Sequence, residues 1–243
     1  MSRRYSSAHL WARGEAVVSG LAASALYGAK WIDDDSPVEL IWAKTRSPDG
    51  VITRNELLLD DEIQQLNGFV VTTPERTAFD LGRRGRIDDA IARLDALARA
   101  TQLKVAAVED IAARHPHTRG LRQLEAALDL VDAGAESPKE TWLRLLVIRD
   151  GYPRPQTQIP VRSPDGRRRY YLDMGWPDLM LAIEYEGDHH RTSRELRIRD
   201  HARRRHSRGG VVGDTCCRAK PPDRSASAAS TGMGFSYGGP LTR

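Results

Sequence analysis

The chain has 243 residues, of which 40% are hydrophobic and 29% charged, with five Trp. That make-up can bury a core, which excludes wholesale disorder and a fibrous repeat, and the length suits two modest domains with a tail. The formal charge of +4, from 37 Lys+Arg against 33 Asp+Glu, is too small a sum to mark a nucleic-acid binder, so the distribution of charge must decide.

In chain order, Val17, Leu21, Ser24/Ala25 and Gly28 recur at helical spacing and predict a buried small-residue helix ending near Ala29. Val38-Glu39-Leu40-Ile41-Trp42 and Gly68-Phe69-Val70-Val71-Thr72 are β-rich runs, with a weaker one at Val51-Ile52-Thr53, so a small sheet is expected. Thr73-Pro74-Glu75 reads as N-cap, N1 proline and first-turn acid, opening a helix over 75–84 that Gly85 stops. From Ile87 to Val131 the apolar spacing stays helical and predicts three helices, with His115 and His117 as turn residues between the last two. Asp132-Ala133-Gly134-Ala135 reads as a link to a second unit.

That unit opens on Ser137-Pro138-Lys139-Glu140, a capping box with proline at N1, followed by a helix to Gly151. A three-strand meander follows over 156–161, 168–174 and 179–186, and then a strongly basic helix over 194–206. After Ser207 neither period persists, and the tail reads as disordered. A change of reading frame after about His206 would leave such a tail. Cys216 and Cys217 are adjacent, which neither staples a secreted scaffold nor supplies CxxC spacing, so the expected setting is the reducing cytoplasm. No run approaches the ~18–20 apolar residues that span a bilayer, so no membrane partner is expected.

The chemistry is concentrated in the meander. In the strand over 179–186, Leu179, Leu181, Ile183 and Tyr185 share the face expected to be buried, and Glu184 and Glu186 share the other. A hairpin centred between Asp178 and Leu179 sets Asp173 directly opposite Glu184. Three acids crowding one patch repel one another unless a cation neutralises them, and Mg²⁺, with its preference for hard oxygen ligands, fits that need. His189, His190 and an arginine-rich stretch including Arg194, Arg197, Arg199 and Arg203 follow at once. An acidic metal pocket beside a cationic wall is what cutting a phosphodiester requires.

Glu140, Asp173, Ile183-Glu184-Tyr185-Glu186-Gly187-Asp188-His189-His190 and Arg199-Asp200-His201-Ala202-Arg203 together resemble the bacterial Vsr-like domain of unknown function, grouped with the PD-(D/E)XK restriction-endonuclease-like fold. The stretches 21–28 and 72–81 are similar to the region that precedes it in proteins like the AbiEi-type antitoxins. The resemblance implies an α/β fold of the α+β kind. An N-terminal domain over 1–134 with a small sheet and several helices precedes a nuclease-type helix–meander–helix core over 135–206 that lacks the closing strand, and a tail over 207–243.

The resemblance further implies Asp173 and Glu184 as metal ligands and Glu140 as an accessory acid. Glu186 stands where superfamily relatives often carry lysine, which leaves His189 or Glu186 itself to orient water. The expected partner is nucleic acid, DNA more than RNA. The rival expectation is a non-catalytic DNA-binding or antitoxin-like regulator that keeps the fold.

Overall fold

A computed structural model describes residues 2–43, 46–163 and 165–185. Glu186, His189, Arg194, Arg197, Arg199 and Arg203, with the basic helix and the tail, lie outside the described residues.

The first part is built on a five-stranded sheet of order β3-β2-β1-β5-β4. Its strands are β1 (Val17–Val18), β2 (Val38–Ile41), β3 (Val51–Arg54), β4 (Ile63–Leu66) and β5 (Phe69–Thr72). Pairing is mixed: β1 runs antiparallel to β2 and parallel to β5, β2 is parallel to β3, and β4 is antiparallel to β5. Asn67 and Gly68, both at positive φ (52° and 83°), form the two-residue turn that joins β4 to β5. That backbone matches the twist of a hairpin and suits this residue pair. Helices α1 (Ser2–Trp11) and α2 (Gly20–Leu26) bring Ala8, Ala12, Ala22 and Ala23 onto Val18, Val38, Leu40 and Val71, small side chains that let helix and sheet approach closely. Val17, expected on a helix, is therefore in a strand: two β-branched residues insert between β2 and β5 before Gly20 turns the chain into α2.

Helices α3 (Pro74–Gly82), α4 (Ile87–Thr101), α5 (Val105–Arg114) and α6 (Leu121–Leu128) share a second core around Phe79, Ile91, Leu94, Leu97, Val108, Ile111 and Leu124. Thr73 caps α3 by accepting from the Arg76 N–H at 3.3 Å. The α3 helix also carries a buried ion network. Arg76 donates Nε to Asp80 at 3.2 Å, Nη2 to Glu56 at 3.3 Å and Nη1 to the Leu57 carbonyl at 2.8 Å, and it also bonds Glu62. Arg83 and Arg84 reach the other oxygen of Asp80 at 2.8 and 3.0 Å. His115 opens the turn after α5, its carbonyl accepting from the Thr118 N–H at 3.2 Å, but its side chain is buried, with Nε2 at 2.7 Å from Glu62, a second polar neighbour for a carboxylate where water is excluded. Glu56 is drawn both ways. Burial works against its charge, and Arg84, Arg83 and Arg76 outweigh it, holding the carboxyl below the ordinary range.

Helix α7 (Pro138–Arg149) packs on α4 and adds Leu145 to the helical core. Its buried Arg144 pairs with the buried Asp95 of α4 at 2.7 Å. The chain then forms a three-stranded antiparallel sheet of order β6-β7-β8, from β6 (Gln156–Arg162), β7 (Arg169–Trp176) and β8 (Leu181–Ile183). The molecule is thus a mixed α/β protein with helices and two sheets. β8 is shorter than the strand expected over 179–186. Pro177 opens a single 3₁₀ turn over Pro177–Leu179 and Met180 takes a left-handed backbone (φ 50°), so Leu179, expected in the buried row, is 70% exposed at the hairpin tip. Among the described residues no helix is long and apolar enough to cross a membrane.

Candidate metal and nucleic-acid site

The register of the meander decides which acids meet. Met174 pairs with Ile183, Gly175 with Ala182 and Trp176 with Leu181. Carried on by one residue, the same register sets Asp173 opposite Glu184, on one face of the sheet. Gly175 makes that approach possible, since a Cβ there would lie 2.2 Å from the Leu181 carbonyl oxygen and 2.8 Å from the Ala182 Cα. Beneath, on the opposite face, Met174 is fully buried and anchors β7. The Tyr185 N–H donates to Asp173 Oδ2 at 2.8 Å. The carboxylate thus takes the backbone donor one residue beyond Glu184, just after the β8 ladder ends.

Glu140 reaches the site from the N-terminal turn of α7. Ser137 accepts from the Glu140 N–H at 3.3 Å, and the Glu140 carboxylate in turn accepts from the Ser137 hydroxyl and the Glu136 N–H, both at 2.9 Å. This is a capping box displaced by one residue at its reciprocal bond. Burial pushes the Glu140 carboxyl up from the ordinary range, opposed by the Glu136 N–H, and the negative charge of Asp173 pushes it further. Next to it, the Lys139 ammonium lies 5.2 Å from the centre of the Tyr185 ring. Of the expected acids, Asp173 thus faces Glu184 by register and acts on Glu140 through its charge. Among the described residues, however, no three His, Cys, Asp or Glu side chains are grouped as a metal cage.

Gln158 was not singled out by sequence reasoning. The β6–β7 register is the same on either side of it and sets it opposite Asp173, yet its φ is 51°. A left-handed residue within an otherwise regular strand is strained, and such strain concentrates at functional sites. Glutamine carries no signal for that conformation. The exposed arginines of the β6–β7 hairpin were also passed over, although their run in the sequence is plain.

A cleft of about 190 Å³ opens between the end of α2, helix α4 and the start of α7. Its polar walls bind one another: the Trp31 indole N–H donates to the Glu136 carbonyl at 2.9 Å, and Arg99 pairs with the Glu136 carboxylate at 2.5 Å.

The class defined by these features is a mixed α/β protein whose three-stranded meander carries acids beside a helix N-terminus. The chain is similar to two uncharacterized proteins of Mycobacterium tuberculosis, MT2308 of strain CDC 1551 / Oshkosh and Rv2248 of strain ATCC 25618 / H37Rv. Each is 30% identical over 177 residues, which cover 71% of this chain and 63% of the relative, so the match spans less than two thirds of those proteins. No family model matches the chain. No solved structure matches it either.

Proposed function

We propose that this chain is a Mg²⁺-dependent endonuclease-like protein acting on the phosphodiester bonds of nucleic acid, DNA more than RNA, in the cytoplasm. The observation that carries the reading is the β7–β8 register, which aligns Asp173 with Glu184. What supports a hard divalent cation is the chemistry of the side chains alone: they offer carboxylate oxygens, and the charge of Asp173 disfavours that of Glu140. Asp173 and Glu184 would hold the ion, which when bound would supply charge neutralisation and Lewis acidity at a phosphoryl oxygen. Glu140, which caps the start of α7, would be the accessory acid, Glu186 or His189 would orient the attacking water, and Arg194, Arg197, Arg199 and Arg203 would hold the polyanion. The restriction-endonuclease-like core and the nuclease-type unit over 135–206 belong to this proposal.

Supercoiled plasmid incubated with the purified chain and Mg²⁺ is expected to be nicked, EDTA should stop the reaction, and Asp173→Ala should abolish it. Equal nicking by the wild type and the variant sinks the assignment. One observation favours a second reading, a non-catalytic DNA-binding or antitoxin-like regulator: Asp173 and Glu140 both serve backbone donors, so the architecture itself uses them. On that reading DNA binding survives EDTA and no cleavage occurs.

A further inference from the structure

Between Tyr152 and Leu172 the sequence holds five arginines, Arg154, Arg162, Arg167, Arg168 and Arg169, against one acid, Asp165. Four of them stand at the tip of the β6–β7 hairpin, where Arg162 pairs directly with Arg169 and all four are exposed. Like charges directly opposite one another destabilise a hairpin. Among the described residues none of the four forms a salt bridge, and the one acid nearby, Asp165, feels the charge of Arg168 alone among them.

Asp165, the one acid at hand, is committed to the turn. It bonds the Ser163 hydroxyl, which holds its carboxyl below the ordinary range, and accepts from the Arg167 N–H at 3.1 Å. The Ser163 N–H donates to the Arg168 carbonyl at 2.9 Å and the Arg168 N–H to Ser163 Oγ at 3.0 Å, so hydrogen bonds tie the two sides of the hairpin together next to the exposed guanidinium groups.

The hairpin also points somewhere. Residues two apart share a face, so Arg169, Tyr171 and Asp173 form one row, with steps of ~6.6–6.8 Å. Tyr171 is 45% exposed. The row thus runs from the cationic tip past an exposed aromatic ring to the acid face.

We infer that the β6–β7 hairpin is a ribbon that grips duplex DNA, with Arg162, Arg167, Arg168 and Arg169 on its phosphates and Tyr171 against the backbone next to the acids. The inference rests on the nucleic-acid part of the proposed function and is independent of hydrolysis. A two-stranded ribbon is admitted by the ~12 Å major groove of B-form DNA, whereas the major groove of A-form RNA is too deep and narrow to take it. Unpaired arginines supply the planar donor forks that phosphate oxygens accept.

The test is binding of the full chain to a fluorescent 20-base-pair DNA duplex in EDTA, by anisotropy across a salt series. Each phosphate contact contributes ~0.9 to the slope of log K against log salt, so Arg167→Ser/Arg168→Ser/Arg169→Ser should lower that slope by about 2–3. The matching triple lysine variant should restore most of it, which a merely structural role would not require, and thermal melts should show both variants folded. An unchanged slope in the serine variant, no duplex binding by the wild type, or equal affinity and slope on double-stranded RNA of the same length overturns the inference. Binding with the expected slope change but without nicking in Mg²⁺ sinks only the hydrolase reading. Nicking with an unchanged slope sinks only the hairpin.

Discussion

Glu140 is the residue at which architecture and proposed chemistry compete. Its carboxylate accepts from the Glu136 N–H and the Ser137 hydroxyl, bonds that favour its charge, yet burial and then the field of Asp173 disfavour it more. Because the folded carboxyl is raised, the native state binds its proton more tightly than the unfolded chain does. This contribution to stability is therefore fully present below the ordinary glutamate range of ~4.3 and is lost as pH rises through the raised value. Replacing Asp173 by Asn removes one of the causes that raise it. The Glu140 titration, followed by carboxyl-carbon NMR, should then move to lower pH, while the residual elevation reports burial together with the negative charge of Glu136. A titration that stays in place would mean that the two carboxylates do not feel each other, and the acid neighbourhood would lose its third member. Mg²⁺ bound at Asp173 should shift the wild-type titration in the same direction, since it neutralises the same field.

At the scale of elements, the β7–β8 pair depends on Gly175. A methyl group there would meet the Leu181 carbonyl oxygen, a backbone atom that cannot rotate away. Gly175→Ala should therefore push β8 off β7 and destabilise the fold by about 1–3 kcal/mol, the usual cost of overpacking. Denaturant midpoints measure that loss, and an alanine variant as stable as the wild type would mean that β8 is not held at this distance. The elements themselves were unevenly legible. Helices α3 to α7 could be read because caps and apolar spacing agree: Thr73-Pro74 and Ser137-Pro138 open helices where expected, and Ile91, Leu94, Leu97 and Ala98 repeat at helical intervals. The strand β4, Ile-Gln-Gln-Leu, is polar at its centre and escaped notice, although Asn67-Gly68 after it is a strong hairpin signal. β1 has only two residues, too few for any period to register, and is defined solely by its neighbours β2 and β5. In the site, the Asp173–Glu184 register followed from the position of the turn, because an antiparallel hairpin has only one pairing once its centre is known. The left-handed Gln158 and the burial of His115 depend on tertiary surroundings that local sequence does not encode.

Across the whole molecule, the meander is not attached by a chain link alone. Helix α7 contributes Leu145 to the helical core, and its Arg144 is fully buried, donating to Asp95 at 2.7 Å and to the Leu130 carbonyl at 2.6 Å. Asp95 completes the junction by accepting from the Asp132 N–H at 2.7 Å and the Thr141 hydroxyl at 2.8 Å. Farther on, Arg154 holds the Asp129 carbonyl at 2.9 Å and the Val131 carbonyl, and Thr157 donates to Asp132 at 2.9 Å, so β6 is tied to the end of α6. This continuity predicts one cooperative unfolding transition, with far-UV circular dichroism and tryptophan fluorescence tracing the same curve. Arg144→Met keeps the volume but leaves Asp95 buried without its cation, which should cost about 3–5 kcal/mol at neutral pH. The pH dependence identifies the cause. Burial already raises the Asp95 carboxyl, Arg144 acts against that, and removing Arg144 lets it rise further. Protonation then relieves the unpaired charge, so the deficit of the variant should shrink as pH falls toward the carboxylate range. A deficit that is constant with pH would assign Arg144 a packing role only, and two separated transitions in the wild type would mean that the two sheets unfold independently.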